Sequence, residues 1–404
     1  LAAGAAHALN YPDSSNPNLL VLPPSALYSL PVNFVGNVSQ SFLQTTTLPG
    51  VRSSSILKPF VAYDAEFASL LAPNAKLELL YEGPDGMPVG HEMGIWVWDH
   101  NQVWMAAVYP NGTSFVNIMD LRTNTVSRLV PSNGIPVLNP NGGGYHNGKV
   151  YIAGNGNATA ESCIYTVDPV TFEVECIINS YFGLRLNGPN DLTWAVRQTS
   201  RGVEDWLFFT DDPLNELYLG GPVPQLPDAT WRFDPTGQTL LPVIDRTDAL
   251  VPNGVRANKE GTKLYITNTP PALIPGAAVV VTSTGQELYE GSESSAIYVY
   301  DITDDGFPTN RRLFGIAERG IPDGIHLDNS GRVWTGEADG IIVRGATGKV
   351  LGMFNALAMQ GVATVDSDAK PLANFALAGD RLVVLAYNKI FGVQLSHQIV
   401  SEMT

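Results

Sequence analysis

Charge is scarce in this chain, and positive charge most of all. Only 15% of its 404 residues are Asp, Glu, Lys or Arg, with 23 basic against 39 acidic, and the formal net charge is −16. That balance repels phosphate backbones and no basic stripe interrupts it, which sets nucleic acid aside as a partner. Long apolar runs are missing as well. No stretch is long and apolar enough to span a bilayer as a helix, so no membrane partner is expected. Helix-type periodicity is sparse. Cysteine is limited to Cys163 and Cys176, and no Cys/His set has zinc-ligand spacing.

Glycine (39) and proline (29) are plentiful, and they punctuate short alternating runs of aromatic and β-branched residues such as AIYVYDI (296–302). One phrase returns roughly every 45 to 70 residues: an apolar strand, a tight Gly/Asn/Asp turn, and a second apolar strand. The copies are GIWVWDHNQVWMAAV (94–108), GGYHNGKVYIAG (143–154), NDLTWAVRQTSRGVEDWLFFTD (190–211), NGVRANKEGTKLYITNT (253–269), DGIHLDNSGRVWTGE (323–337) and NFALAGDRLVVLAYN (374–388). Return hairpins such as SFVNIMDLRTNTVSRLV (114–130) come after them and supply two outer strands per unit. About six such units predict an all-β, six-bladed β-propeller over 61–404, with no linker dividing it. Residues 1–60 lack a period and read as an extended N-terminal arm. KLELLYEG (76–83) is the strand expected to complete the last blade and abolish its open edge. The insertions at 212–229 and 270–295 read as loops on one face.

Cys163 and Cys176 flank the hairpin CIYTVDPVTFEVEC, whose turn near 168–171 brings the strand ends opposite each other; a disulfide is expected, and with it a secreted protein. Two observations agree with secretion. LAAGAAHALN resembles a stub left by signal-peptide removal, and N-x-S/T sequons stand at Asn37, Asn111 and Asn157 near loops, where glycans are expected.

The units also begin alike. Glu92 lies in GHEMGIW, Asn141 in NPNGGGY, Asn190 in NGPNDL, Asn253 in VPNGV and Asp323 in IPDGI. A single Asn-Gly or Asp-Gly is ordinarily a turn. Polar residues at equivalent places in several blades, where first strands line a channel, predict convergence on the axis. Glu, Asn, Asn and Asp offer oxygen ligands and about two negative charges, which suits a hard cation, Ca²⁺ before Mg²⁺.

HEMGIW, NGPNDL, PNGVRANKEGTKLYITNT and PDGIHLDNSGRVW resemble the motifs of the senescence marker protein/gluconolactonase/luciferin-regenerating family. The likeness is strongest to secreted fungal lactonohydrolases of aldonate and pantoyl lactones. It runs from about residue 55 to 395 and includes LKPFVAYDAEF, NPNGG and NSYFGLRLN. The resemblance implies one catalytic divalent ion, usually Ca²⁺, at the channel mouth of a six-bladed propeller. It places Glu92, Asn190, Asn253 and Asp323 on the metal-ligand positions, with Asp323 as general base, and puts Asn141 on a further motif of the fungal group.

Other candidates surround this set. His146, after NPNGGG, is an alternative base, as in the paraoxonase arrangement; Arg185 and Tyr145 are expected to contact substrate. His91 and His326 should face away from Glu92 and Asp323 by strand alternation, and Asp211 and Asp212 should cap the turn after LFFTDD. The implied activity is opening of sugar-acid or related lactones to hydroxy acids by a monomer or weak homo-oligomer. The alternatives are a phosphotriesterase-like arylesterase on the same site, or a non-catalytic binding propeller with a structural ion. The HEMGIW spelling and the long 270–295 insertion depart from the family pattern, and both bear on which lactone is taken.

Overall fold

In the computed structural model, four-stranded antiparallel sheets succeed one another around an axis, each starting from a strand that lines it. The structure describes residues 16–29, 43, 57–213, 216, 220–249, 251–269, 295–318, 320–360 and 372–400. The sheets are the six expected blades. Their inner strands are Glu92–Val97, Pro140–His146, Pro189–Thr199, Pro252–Ala257, Ile325–Leu327 and Asn374–Ala378, for blades one to six in that order. Position within the blade explains each strand's burial: Gln102–Val108 and Lys263–Asn268 bury nearly every residue because they run second in their blades, sandwiched between neighbouring sheets.

Closure of the ring is visible in its apolar contacts, because each blade pair has its own cluster. Ile95 and Trp104 meet Val150 and Ile152; Ile164 meets Leu207 and Phe209; Phe208 and Ala195 meet Val255 and Leu264. Tyr265 and Ile297 meet Ile325, Trp334 and Ile341 meet Phe375 and Leu382, and Val103 and Met105 meet Val383 and Leu385, which joins blade six back to blade one. The last joint is also closed by hydrogen bonds. Glu78–Glu82 pairs antiparallel with Lys389–Gln394, so a strand preceding blade one becomes the outer strand of blade six, as the sequence predicts.

Blade five is wider than the others. Phe60–Ala62 pairs with its outer strand Val350–Asn355, and Leu19–Val21 adds in parallel beyond it. Leu20, Leu22, Ala26 and Leu43 pack there against Val61, Tyr63 and Met353. Cys163 and Cys176 are joined as a disulfide across the outer hairpin of blade two, with Cα atoms 6.0 Å apart. Its turn is held by Asp168, whose Oδ1 accepts from the N–H groups of Val170 and Thr171. Of the sequons, Asn111 and Asn157 sit in loops, each with Oδ1 accepting from Thr113 or Thr159 two residues on, while Asn37 lies outside the described residues. The 270–294 part of the second insertion also lies outside them.

Candidate active site

A proline precedes the polar head of four inner strands: Pro140, Pro189 and Pro252 open their strands, and Pro322 stands before Asp323. A first-position proline has no N–H to leave unpaired beside the channel. Four of the inner strands then share an irregularity. Between Glu92 and Ile95, Pro140 and Gly143, Pro189 and Leu192, and Pro252 and Val255, three steps on the inner strand oppose two on its neighbour. Such a bulge breaks the alternation of side chains and bends the strand toward the axis. In blade one it is marked by Met93 and Gly94, both at positive φ.

The Asn-Gly and Asp-Gly pairs are therefore not turns. Gly254 lies so near blade five that a Cβ there would stand 2.4 Å from the backbone oxygen of Asp323, and one on Gly324 would stand 2.4 Å from Cγ of Asn374. Glycine is what lets successive heads approach. Gly254→Ala is accordingly expected to push blades four and five apart and cost about 1–3 kcal/mol of stability. A thermal melt superimposable on that of the wild type would show that this approach is not needed.

Buried threonines lock these approaches. Thr210 Oγ1 accepts from Asp191 N at 3.0 Å and donates to Asn253 O at 2.6 Å, tying blade three to blade four. Thr267 Oγ1 accepts from Gly254 N at 2.7 Å and donates to Asp323 O at 2.9 Å, repeating the link between blades four and five. Sequence reasoning missed both, although FFTDD and YITNT place them at matching strand ends. Asp211, beside Thr210, caps the loop before Asn190 rather than the turn after it: its carboxylate accepts from Asn187 N at 3.0 Å and Gly188 N at 2.7 Å. Burial pushes that carboxyl up to about 7.

Glu92, Asn141, Asn190, Asn253 and Asp323 thus stand at the heads of five successive blades, and the sixth contributes Asn374. Asn190, Asn253 and Asn374 are buried; Glu92, Asn141 and Asp323 are half-buried. Asn253 is hydrogen-bonded to Asp323 and donates through Nδ2 to Thr269 Oγ1 at 2.9 Å, which leaves its amide oxygen to ligate a cation. Asn374 is hydrogen-bonded to Glu92. Loss of water, and then the nearby charge of Asp323, hold Glu92 well above the usual glutamate range. Loss of water likewise raises Asp323 to about 7, against the hydrogen bond from Asn253 and with added repulsion from Asp191.

These residues fit a divalent cation. Asn190, 3% exposed, makes no side-chain hydrogen bond to any described residue, and two carboxylates repel each other where a cation would relieve both. The fit depends on amide oxygens: among the described residues, no three His, Cys, Asp or Glu side chains come together as a metal-binding group.

Other candidates fall elsewhere. His146 ends the strand Pro140–His146, about 16 Å beyond Asn141 at ~3.3 Å per residue. It stacks on Trp194 at 4.3 Å and its Nε2 lies 3.1 Å from Asp205 Oδ2, so it is not brought to the strand heads as a base. Tyr145 is beside it, donating to Asp99 Oδ2 at 2.6 Å against Trp98. Arg185 belongs to a small hairpin (180–185) and its N–H donates to Gln225 Oε1 at 3.1 Å. His91 corrects the alternation argument: it precedes the strand, and its Nε2 lies 3.7 Å from Glu92 Oε1. His326 stays behind the site as expected, with Nε2 3.3 Å from Asn374 Oδ1 and its ring against Phe375. Asp191 and Asn374 are the heads that sequence reasoning passed over.

No family model matches the chain. It is 26% identical to lactonohydrolase oryH of Aspergillus oryzae over 352 residues, covering 72% of this chain and 73% of that protein. It is 24% identical to a gluconolactonase of Zymomonas mobilis over 330 residues, covering 74% of this chain and 78% of the other. A gluconolactonase structure from Xanthomonas campestris superposes with a TM-score of 0.61 at 21% identity, over 83% of this chain and 95% of that one, and shares the fold. With the propeller, the recurring bulges and the polar strand heads in place, the chain is similar to the gluconolactonases and lactonohydrolases whose motifs it resembles.

Proposed function

We propose that the protein is a secreted, divalent-cation-dependent lactonase that opens sugar-acid or related lactones to hydroxy acids. The reading is supported by the place of Glu92, Asn190, Asn253 and Asp323 at the inner-strand heads of four blades, with Asp323 close enough to Glu92 to repel it, Asn253 hydrogen-bonded to Asp323, and the Asn190 amide unpartnered among the described residues. Glu92, Asn190, Asn253 and Asp323 would hold the ion; hard oxygen donors favour Ca²⁺. When bound, the ion supplies Lewis-acid polarisation of the lactone carbonyl. Asp323 orients a water and takes one of its protons as the oxygen attacks the carbonyl carbon. The ring C–O bond then breaks, and the departing alkoxide accepts a proton to give the hydroxy acid. Asn253 keeps the Asp323 carboxylate aimed by its hydrogen bond, and Asn374 does the same for Glu92. Asn141, beside Asn190 at the next strand head, is suited to a substrate hydroxyl.

Acid release from aldono- and pantoyl lactones, measured at constant pH, tests this reading. Turnover is expected to vanish after exhaustive chelation and return with Ca²⁺. Full activity in the chelated protein would defeat the metal-dependent mechanism. Secretion rests on the Cys163–Cys176 disulfide and the loop sequons at Asn111 and Asn157. Digestion with an N-glycosidase should reduce the mass of protein secreted from its native source.

A further inference from the structure

Arg256 crosses the channel beneath the strand heads. From blade four its Nε donates to Ile325 O of blade five at 3.0 Å, and Nη1 to Leu192 O of blade three at 3.3 Å and Gly143 O of blade two at 3.4 Å. Nη2 reaches Asp191 Oδ2 at 3.4 Å. Asp191 completes the tie, accepting from Gly143 N at 3.1 Å, Val255 N at 3.0 Å and Leu192 N at 2.8 Å. The two side chains are 15% and 4% exposed, and together they bond inner strands of blades two, three, four and five. Every strand they hold carries a head: Asn141 lies two residues before Gly143, Asn190 adjoins Asp191, Asn253 lies three before Arg256, and Asp323 two before Ile325. On its other side Arg256 lines a cavity of 140 Å³ with Trp96, Trp98, Tyr145, Lys259 and His326. Arg256 thus lies at the cavity wall while its guanidinium bonds strands that carry the heads.

We propose that Arg256 is a positioning residue for the ion: its fork sets the spacing of Asn190, Asn253 and Asp323, and its charge neutralises Asp191, leaving Glu92 and Asp323 for a divalent cation. Charge alone does not require arginine. A lysine supplies the charge as a point, without a planar fork able to bond carbonyls of three blades at once. Charge and fork therefore make opposite forecasts. A guanidinium acting only as a charge would be matched by Arg256→Lys, and its removal in Arg256→Gln would tighten cation binding by unmasking Asp191. A positioning fork is lost in both.

This inference rests on the ion-binding reading above, and one experiment separates the two. Chelator-treated wild type, Arg256→Lys and Arg256→Gln are titrated with Ca²⁺ by calorimetry, with thermal melts in chelator to monitor the fold and lactone turnover at saturating Ca²⁺. We expect both variants to bind Ca²⁺ about 10- to 100-fold more weakly, as for residues that orient metal ligands, and to lose kcat more than KM. Wild-type affinity in Arg256→Lys, or tighter binding in Arg256→Gln, overturns the positioning role while leaving the lactonase reading intact. A wild type that takes up no Ca²⁺ overturns both. Should Arg256→Lys fail to fold, the sign of the change in Arg256→Gln still decides.

Discussion

Asp323→Asn is expected to lower lactone turnover by about a thousandfold at saturating Ca²⁺, within the range for loss of a general base. The substitution preserves shape and leaves one oxygen for a cation, so the backbone links through Thr267 and Gly336 should survive: Thr267 Oγ1 donates to Asp323 O, and Asp323 N donates to Gly336 O at 2.9 Å. It removes both the proton acceptor and one of the two strand-head charges. These effects separate experimentally. Weakened ion binding is overcome by raising Ca²⁺, whereas a missing base is not, so the loss should persist in kcat on a plateau of Ca²⁺ concentration. Restoration of wild-type kcat at high Ca²⁺ would show that Asp323 is a ligand alone and that another group activates water. His91, 3.7 Å from Glu92, would then be the first residue to substitute.

The parts of this molecule written in local pattern are legible in the sequence, and the parts made by crossing between blades are not. Repeats separated by Gly/Asn/Asp turns mark the six blades, and an unmatched alternating strand at 76–83 marks the closing one. Asn190 is legible because its neighbours in NGPNDL match a family phrase. Asp191 is not, since a strict period of two sends successive side chains to opposite faces. The bulge between Pro189 and Leu192 cancels that rule and puts Asp191 among three backbone N–H groups from three blades. His91 escapes the rule as well, because it stands ahead of the strand that would impose it. Asn374 begins an otherwise apolar run, NFALA, with no proline before it or glycine after it to mark it as a head. Arg256 looks like an ordinary strand residue in NGVRAN; its role depends on carbonyls of residues 143, 192 and 325, a convergence that no linear pattern records.

The largest expected loss of stability comes from blade five, where Arg344 and Glu337 form an ion pair with both side chains 1% exposed. Arg344 Nη1 donates to Glu337 Oε1 at 2.6 Å and to Thr335 Oγ1 at 2.7 Å; the threonine hydroxyl donates on to Glu337 Oε1 at 2.6 Å, and Nη2 reaches Ile316 O of blade four at 3.0 Å. The ion pair is out of water, so deleting one partner leaves the other charge buried without the counter-ion it directly contacts. Glu337→Ala is expected to cost about 3–5 kcal/mol in urea unfolding, and Arg344→Met a similar amount. Replacing both charges by apolar side chains of like volume should recover most of that loss, because the desolvation cost of each ion disappears with it. The consequence reaches the site. Gly336, between Thr335 and Glu337, accepts from Asp323 N and donates to Gly324 O, so the strand carrying the ion pair also holds the backbone of Asp323 in place. The single variants should therefore lose lactone turnover below their unfolding midpoint, and the double apolar variant should regain stability and turnover together. A single substitution costing less than about 1 kcal/mol would mean that water enters this part of blade five and screens the remaining charge.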